Sequence, residues 1–94
     1  MSATPVVKMY TRPDCGYCAA ARQLLRQKAV SFEDININTS TELRREMEEL
    51  SGRYTVPQII INGQAVGGYD DIATLEQNGE LDHLLGNNTS DNEG

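Results

Sequence analysis

Cys15 and Cys18 are the only cysteines in the chain, and they stand in the run Thr11-Arg12-Pro13-Asp14-Cys15-Gly16-Tyr17-Cys18. A β-rich stretch, Val6-Val7-Lys8-Met9-Tyr10, precedes them, and a helical pattern opens at Ala19-Ala20-Ala21. A Cys-x-x-Cys that starts a helix just behind a strand is the setting in which a thiol becomes reactive. Unpaired N–H groups of the first turn point at the first sulfur, and the helix dipole adds partial positive charge there, so thiolate is favoured over thiol. The second cysteine lies one turn on, on the same face, within reach to close a disulfide or attack a mixed one. These residue types at this spacing specify dithiol redox chemistry, with Cys15 as nucleophile and Cys18 as the more buried, resolving thiol.

A zinc site is the structural rival. Zinc takes about four N/S ligands, and His83, the one histidine, cannot complete that set within one chain. Iron–sulfur ligation stays open. Two cysteines this close in sequence also make a poor staple, because so short a loop constrains the unfolded chain little. The compartment is therefore expected to be reducing, and the thiols functional.

Ninety-four residues bound a single domain. A net charge of −6 argues against nucleic acid or an anionic membrane as the main partner. No apolar run is long enough to span a bilayer and no basic-then-apolar leader is present, so a soluble, cytoplasmic chain without a signal peptide is expected. Residues 1–86 form the expected domain, and residues 87–94, which contain no apolar side chain, an expected disordered tail.

The elements that must position the thiols follow from periodicity. Residues 5–11 and 31–37 read as strands, and residues 17–29 as a helix with Ala21, Leu24, Leu25 and Ala29 on one side. Thr39-x-x-Glu42 has the form of a capping box for a second helix, whose apolar stripe is Leu43, Met47 and Leu50 and whose stop is Gly52. Residues 58–61 and 64–66 flank Asn62-Gly63, the dipeptide favoured in tight hairpins. Asp70 reads as the N-cap of a helix reaching about Asn78, and Leu81, Leu84 and Leu85 mark a last short helix. The order β-α-β-α-β-β-α-α calls for an α/β fold with a four-stranded mixed sheet and helices on both faces. The first two strands pair parallel and the last two antiparallel.

Three segments carry a family resemblance. Cys15-Gly16-Tyr17-Cys18 resembles the Cys-Pro-Tyr-Cys site of dithiol glutaredoxins, Thr55-Val56-Pro57-Gln58 their Thr-Val-Pro loop, and Gly67-Gly68-Tyr69-Asp70-Asp71 their Gly-Gly-x-Asp-Asp segment. Thioredoxin fits less well, since Asp14 replaces the tryptophan that precedes its cysteine pair. The resemblance implies a thioredoxin-like fold, glutathione as co-substrate, and thiol–disulfide exchange on glutathionylated or disulfide-containing proteins. It also implies a glutathione site formed by Arg12, Tyr17, Arg44, Thr55, Val56, Pro57, Gly68, Tyr69, Asp70 and Asp71.

Each of these residues also has a plainer reading. Arg12 stands where the family usually has lysine and is otherwise a solvated arginine; Arg44 is otherwise one charge among Glu42, Arg45, Glu46 and Glu48 on a helix face. Tyr17 is either an exposed packing ring or, by resemblance, a wall against which glutathione lies. On periodicity alone Thr55-Val56-Pro57 is a helix-to-strand connection with a trans bond; the family implies a cis Val56–Pro57 bond and pairing of the Val56 backbone with extended glutathione. Gly67-Gly68 is a turn, and Asp70 a cap, to which the resemblance adds an Asp71 carboxylate that meets the γ-glutamyl ammonium.

A second class of function stays open beside the oxidoreductase. Some glutaredoxins hold a [2Fe–2S] cluster between two subunits, each giving its first active-site cysteine and one glutathione. Cys15 would be this chain's ligand, and only then a dimer is expected in place of a monomer. Gly16 stands where most dithiol members have proline, and glycine loosens that turn.

Overall fold

The computed structural model describes residues 5–86. The tail expected over residues 87–94 lies outside the described residues. Strands β1 (Val7–Thr11), β2 (Glu33–Asn36), β3 (Gln58–Ile61) and β4 (Gln64–Gly67) alternate with helices α1 (Gly16–Gln27), α2 (Thr41–Ser51), α3 (Tyr69–Gln77) and α4 (Leu81–Leu85) in the expected order. A short 3-10 turn, Ile37–Thr39, joins β2 to α2. None of the described helices is long and apolar enough to cross a membrane.

The sheet order is β2-β1-β3-β4, with β1 parallel to β2, β1 antiparallel to β3, and β3 antiparallel to β4. Side chains alternate across a strand, so the central pair β1 and β3 builds two cores at once. Val7, Met9, Ile59 and Ile61 face Ala21, Leu25, Ile72, Leu81 and Leu85 of α1, α3 and α4. Tyr10 and Ile60 face the other way, onto Ile37 and Met47. Helix α2 covers that second face through Met47, whose full burial is worth roughly 1.5–3 kcal/mol. The Tyr10 hydroxyl reaches across the same face and donates to Glu46 Oε2 at 2.7 Å. Burial, and then that bond, push the phenol's pKa up.

Several element ends differ from the sequence reading. Helix α1 starts at Gly16 and stops at Gln27, because Lys28 caps it and Ala29 turns left-handed (φ 58°), which removes Ala29 from the apolar side. Strand β2 is shorter than residues 31–37. The cap of α2 is Ser40, whose hydroxyl accepts from the Glu42 N–H at 3.1 Å; Thr39 instead donates to the Asn36 carbonyl in the 3-10 turn. Leu50 is exposed, so the inner stripe of α2 is carried by Met47 with Leu43 half-buried. Gly52 (φ 71°) does end α2, and Asn62-Gly63 (φ 51° and 82°) has the positive φ pair of a type I′ turn.

The start of α3 is the correction that matters for the site. Its N-cap is Gly68, not Asp70, and a glycine has no side chain to offer. Asp71, at the third helical position, reaches back and accepts the Gly68 N–H on Oδ2 at 2.9 Å. This crowds Gly67, which has φ 125° and where a Cβ would lie 2.2 Å from Asp71 Oδ2. Gly67→Ala combines a strained backbone with that clash and should cost about 2–4 kcal/mol. A lowered urea midpoint at unchanged slope is expected; a midpoint equal to the parent's would show that Asp71 does not hold this position.

Candidate active site

Cys15 caps α1 with extended backbone (φ −111°, ψ 115°). The Cys18 N–H donates to Cys15 Sγ at 3.2 Å, so sulfur takes the place that a hydroxyl or carboxylate oxygen has at most helix starts. On its other side the Cys15 thiol donates to the Val56 carbonyl at 3.8 Å. Cys15 is half-buried, whereas Cys18 is fully buried, and both are free thiols. Burial, followed by its hydrogen bond with Cys15, pushes the Cys18 pKa up to about 11. Cys18 is thus a protonated, shielded thiol at neutral pH, behind an accessible Cys15.

A polar cluster fixes the two elements that meet at the cysteines. Thr11, at the end of β1, donates its hydroxyl to Asp34 Oδ1 at 2.6 Å. Arg22, one helical turn beyond Cys18 on α1, donates through Nε to the other oxygen of Asp34. Asp34 on β2 therefore holds β1 and α1 in register immediately below the active-site turn. At the far end of α1, Lys28 ties the helix to Glu76 of α3 and Asp82 of α4.

Two clefts of about 370 Å³ each open on either side of the Val56 backbone. One is lined by Tyr17, Arg53, Thr55, Val56, Pro57, Gln58, Gly68, Tyr69, Asp70 and Asp71. The other is lined by Arg12, Ile37, Arg44, Tyr54, Thr55 and Val56. Every residue of the glutathione site that the resemblance implies lines one of these clefts, and Thr55 and Val56 are common to both. The Val56–Pro57 bond is cis. Among the described residues Val56 makes no backbone–backbone hydrogen bond. Across the first cleft the Tyr17 and Tyr69 rings stand 6.3 Å apart, tilted by 31°.

Four cleft residues were not singled out as site residues in the sequence: Ile37, directly after β2, and three beside Thr55-Val56-Pro57. Arg53 follows the α2 stop, and its Nη1 donates to Asp71 Oδ2 at 2.9 Å. Tyr54 is the most exposed large apolar side chain described, at 78%. Gln58 is buried on β3 and donates from Nε2 to Thr55 Oγ1 at 3.3 Å. Adjacency to Thr55-Val56-Pro57 was the available signal for all three.

The family model described as Glutaredoxin matches residues 7–66. Glutaredoxin 3 of Escherichia coli strain K12 is 47% identical over 79 residues, covering 84% of this chain and 95% of that one. The solution structure of glutaredoxin from Brucella melitensis superposes with a TM-score of 0.77 at 49% identity, covering 89% of this chain and 92% of that one. A structure described as "Metal Binding of Glutaredoxins" gives 0.69 at 49% identity, with 88% and 90% covered. The chain belongs to the glutaredoxin family and has its thioredoxin-like fold. Membership makes it, in broad terms, a glutathione-dependent thiol oxidoreductase.

Two outcomes follow from this geometry. Limited iodoacetamide at neutral pH should label Cys15 and spare Cys18, as read by peptide mass spectrometry; preferential labelling of Cys18 would contradict the burial argument. The second concerns acid. Burial, the largest influence on Asp34, raises its pKa, but hydrogen bonds from Arg22 and Thr11 outweigh it and hold the carboxyl low. A lowered folded pKa gives stability that is present above the unfolded value of ~3.9 and lost as pH falls through the folded one. Asp34→Asn should therefore flatten the fall of stability below about pH 4, whereas an unchanged acid slope would mean the cluster contributes nothing.

Proposed function

We propose that the chain reduces protein–glutathione mixed disulfides and protein disulfides, with Cys15 as the attacking thiol and Cys18 as the resolving one. The observation that carries this reading is the position of Cys15 Sγ, half-exposed at a helix start and 3.8 Å from the Val56 carbonyl between the two clefts. Glutathione is an extended tripeptide whose sulfur sits at its middle residue, with a carboxylate at one end and an α-amino-acid head at the other. The clefts match that layout. The Val56 backbone supports the middle by strand-like pairing. Arg12 and Arg44 receive the glycine carboxylate, while the N–H groups at the start of α3, with Asp71, receive the γ-glutamyl head. Tyr17 and Tyr69 wall the cleft; Thr55, Pro57, Gly68 and Asp70 shape it.

The chemistry then needs no further group. Cys15 thiolate attacks the glutathione sulfur of a protein–glutathione disulfide; the protein thiolate leaves and takes a proton from water. A second glutathione thiolate attacks the Cys15–glutathione disulfide, releases oxidised glutathione and restores Cys15. On a protein disulfide, Cys15 thiolate attacks one sulfur and releases the first protein thiolate; Cys18 then attacks Cys15 sulfur, expelling the second. The Cys18 proton is transferred to that leaving group. Two glutathiones reduce the resulting Cys15–Cys18 disulfide while forming oxidised glutathione. The reading includes a monomer working in the cytoplasm, where thiols are kept reduced.

Serine substitution separates the two roles. Cys15→Ser should abolish glutathione-dependent reduction of a glutathionylated substrate. Cys18→Ser should retain much of that activity and lose reduction of protein disulfides. Equal loss in both variants on the glutathionylated substrate would overturn the assignment.

A second reading, a [2Fe–2S] carrier, draws on the same thiol. Among the described residues no group of three or more His, Cys, Asp or Glu side chains could hold a metal, and Cys15, the more accessible of the two thiols, would be this chain's ligand to a cluster. A second subunit and two glutathiones would have to supply the rest, with thiolate ligation of iron as the chemistry. Gly16 occupies the first helical position, with nothing within 4 Å of where its Cβ would be, and the reading rests on glycine leaving that turn looser than proline would. Proline is tolerated at that position. Gly16→Pro should keep thiol–disulfide exchange but lower cluster yield and dimer fraction after anaerobic reconstitution with iron, sulfide and glutathione. A parent protein that stays colourless and monomeric would eliminate the carrier; equal cluster in both proteins would eliminate the role of Gly16.

A further inference from the structure

Among the described residues that line the α3-side cleft, Arg53 is the one basic side chain, and it is ion-paired. Its Nη1 lies 2.9 Å from Asp71 Oδ2, the same oxygen that accepts the Gly68 N–H at 2.9 Å. The pair spans the cleft, because Arg53 belongs to the segment after α2 and Asp71 to the first turn of α3. Both side chains are about half in solvent, 53% and 42% exposed, so the ion pair is cheap to exchange. Asp70 adds a second carboxylate to the same turn. A ligand carrying only a carboxylate would meet two negative charges there. A ligand carrying only an ammonium would compete with Arg53 for Asp71.

A ligand with both charges on one carbon meets neither obstacle. Its carboxylate takes the Arg53 guanidinium and its ammonium takes Asp71, so one ion pair becomes two.

We propose that Arg53, paired with Asp71 until a ligand's ammonium takes that carboxylate, turns to receive the α-carboxylate of the same α-amino-acid head. Arg53 is then a specificity-determining residue of this cleft. The inference rests on glutathione being the co-substrate.

Substrate analogues test it in the full chain. Glutathione is compared with γ-aminobutyryl-cysteinyl-glycine, which lacks the α-carboxylate, and glutaryl-cysteinyl-glycine, which lacks the α-ammonium. Arg53→Gln should raise KM for glutathione about two- to fivefold, the range of a half-exposed charge pair, with kcat little changed. It should leave KM for the analogue without the carboxylate nearly unchanged, and Arg53→Lys should restore most of the loss. Asp71→Asn should penalise glutathione and the analogue that keeps the ammonium, but not glutaryl-cysteinyl-glycine. An equal effect of Arg53→Gln on glutathione and on the analogue without the carboxylate, or no effect on either, overturns the proposal. If Arg53→Gln does not fold, the Arg53→Lys and Asp71→Asn series decides by the same comparison. A parent protein that turns over no glutathionylated substrate would instead defeat the co-substrate reading itself.

Discussion

The bond from the Cys18 N–H to Cys15 Sγ sets the terms for the rest of the site. A helix start always leaves N–H groups without partners, and here a sulfur fills the cap. The same bond orients Cys15 outward, places Cys18 one turn inward, and puts positive dipole next to the reacting atom. Everything below holds that turn still. Thr11, Asp34 and Arg22 lock β1, β2 and α1 together under it, and Leu25 and Ala21 anchor α1 to the sheet. A helix held less firmly would let the sulfur leave its N–H donor.

Opposite the sulfur, the segment between Gly52 and Gln58 matters as much as the cysteines. It ends α2, carries Arg53 and Tyr54 outward, and presents the Val56 carbonyl to Cys15 before entering β3. Its two ends are fixed by different means. Ser51 Oγ donates to the Met47 carbonyl and accepts the Arg53 N–H, while the Gln58 amide holds Thr55. With no backbone–backbone hydrogen bond at Val56 among the described residues, the chain offers a short extended edge at the reactive sulfur, flanked by cations on one side and by the start of α3 on the other. Redox reactivity comes from the helix start, and selectivity from this segment.

Much of this was legible from the residues because local chemistry decides it. Asn62-Gly63 calls for a type I′ turn whatever surrounds it, and the apolar runs of β1 and β3 belong in a sheet centre. Helix caps were misread where neighbouring residues compete. Thr39 and Ser40 are both good caps, and only the 3-10 turn, which engages Thr39 with Asn36, leaves Ser40 to start α2. Asp70 had the cap residue type, yet the capping carboxylate comes from Asp71 reaching back to a glycine. The placement of β1 between β2 and β3, and the pairing of Arg53 with Asp71 eighteen residues on, depend on contacts distant in sequence that no periodicity records.

The central claim is that glutathione joined to Cys15 lies along Val56, with its ends in the two clefts. Backbone amide NMR of the Cys18→Ser protein, before and after one glutathione is attached to Cys15, tests it most directly. The account predicts that the largest shifts away from the cysteine turn fall at Val56, at Gly68 to Asp71, and at Arg12 and Arg44. Glutathione attached to Cys15 with shifts confined to the first turn of α1 would contradict it.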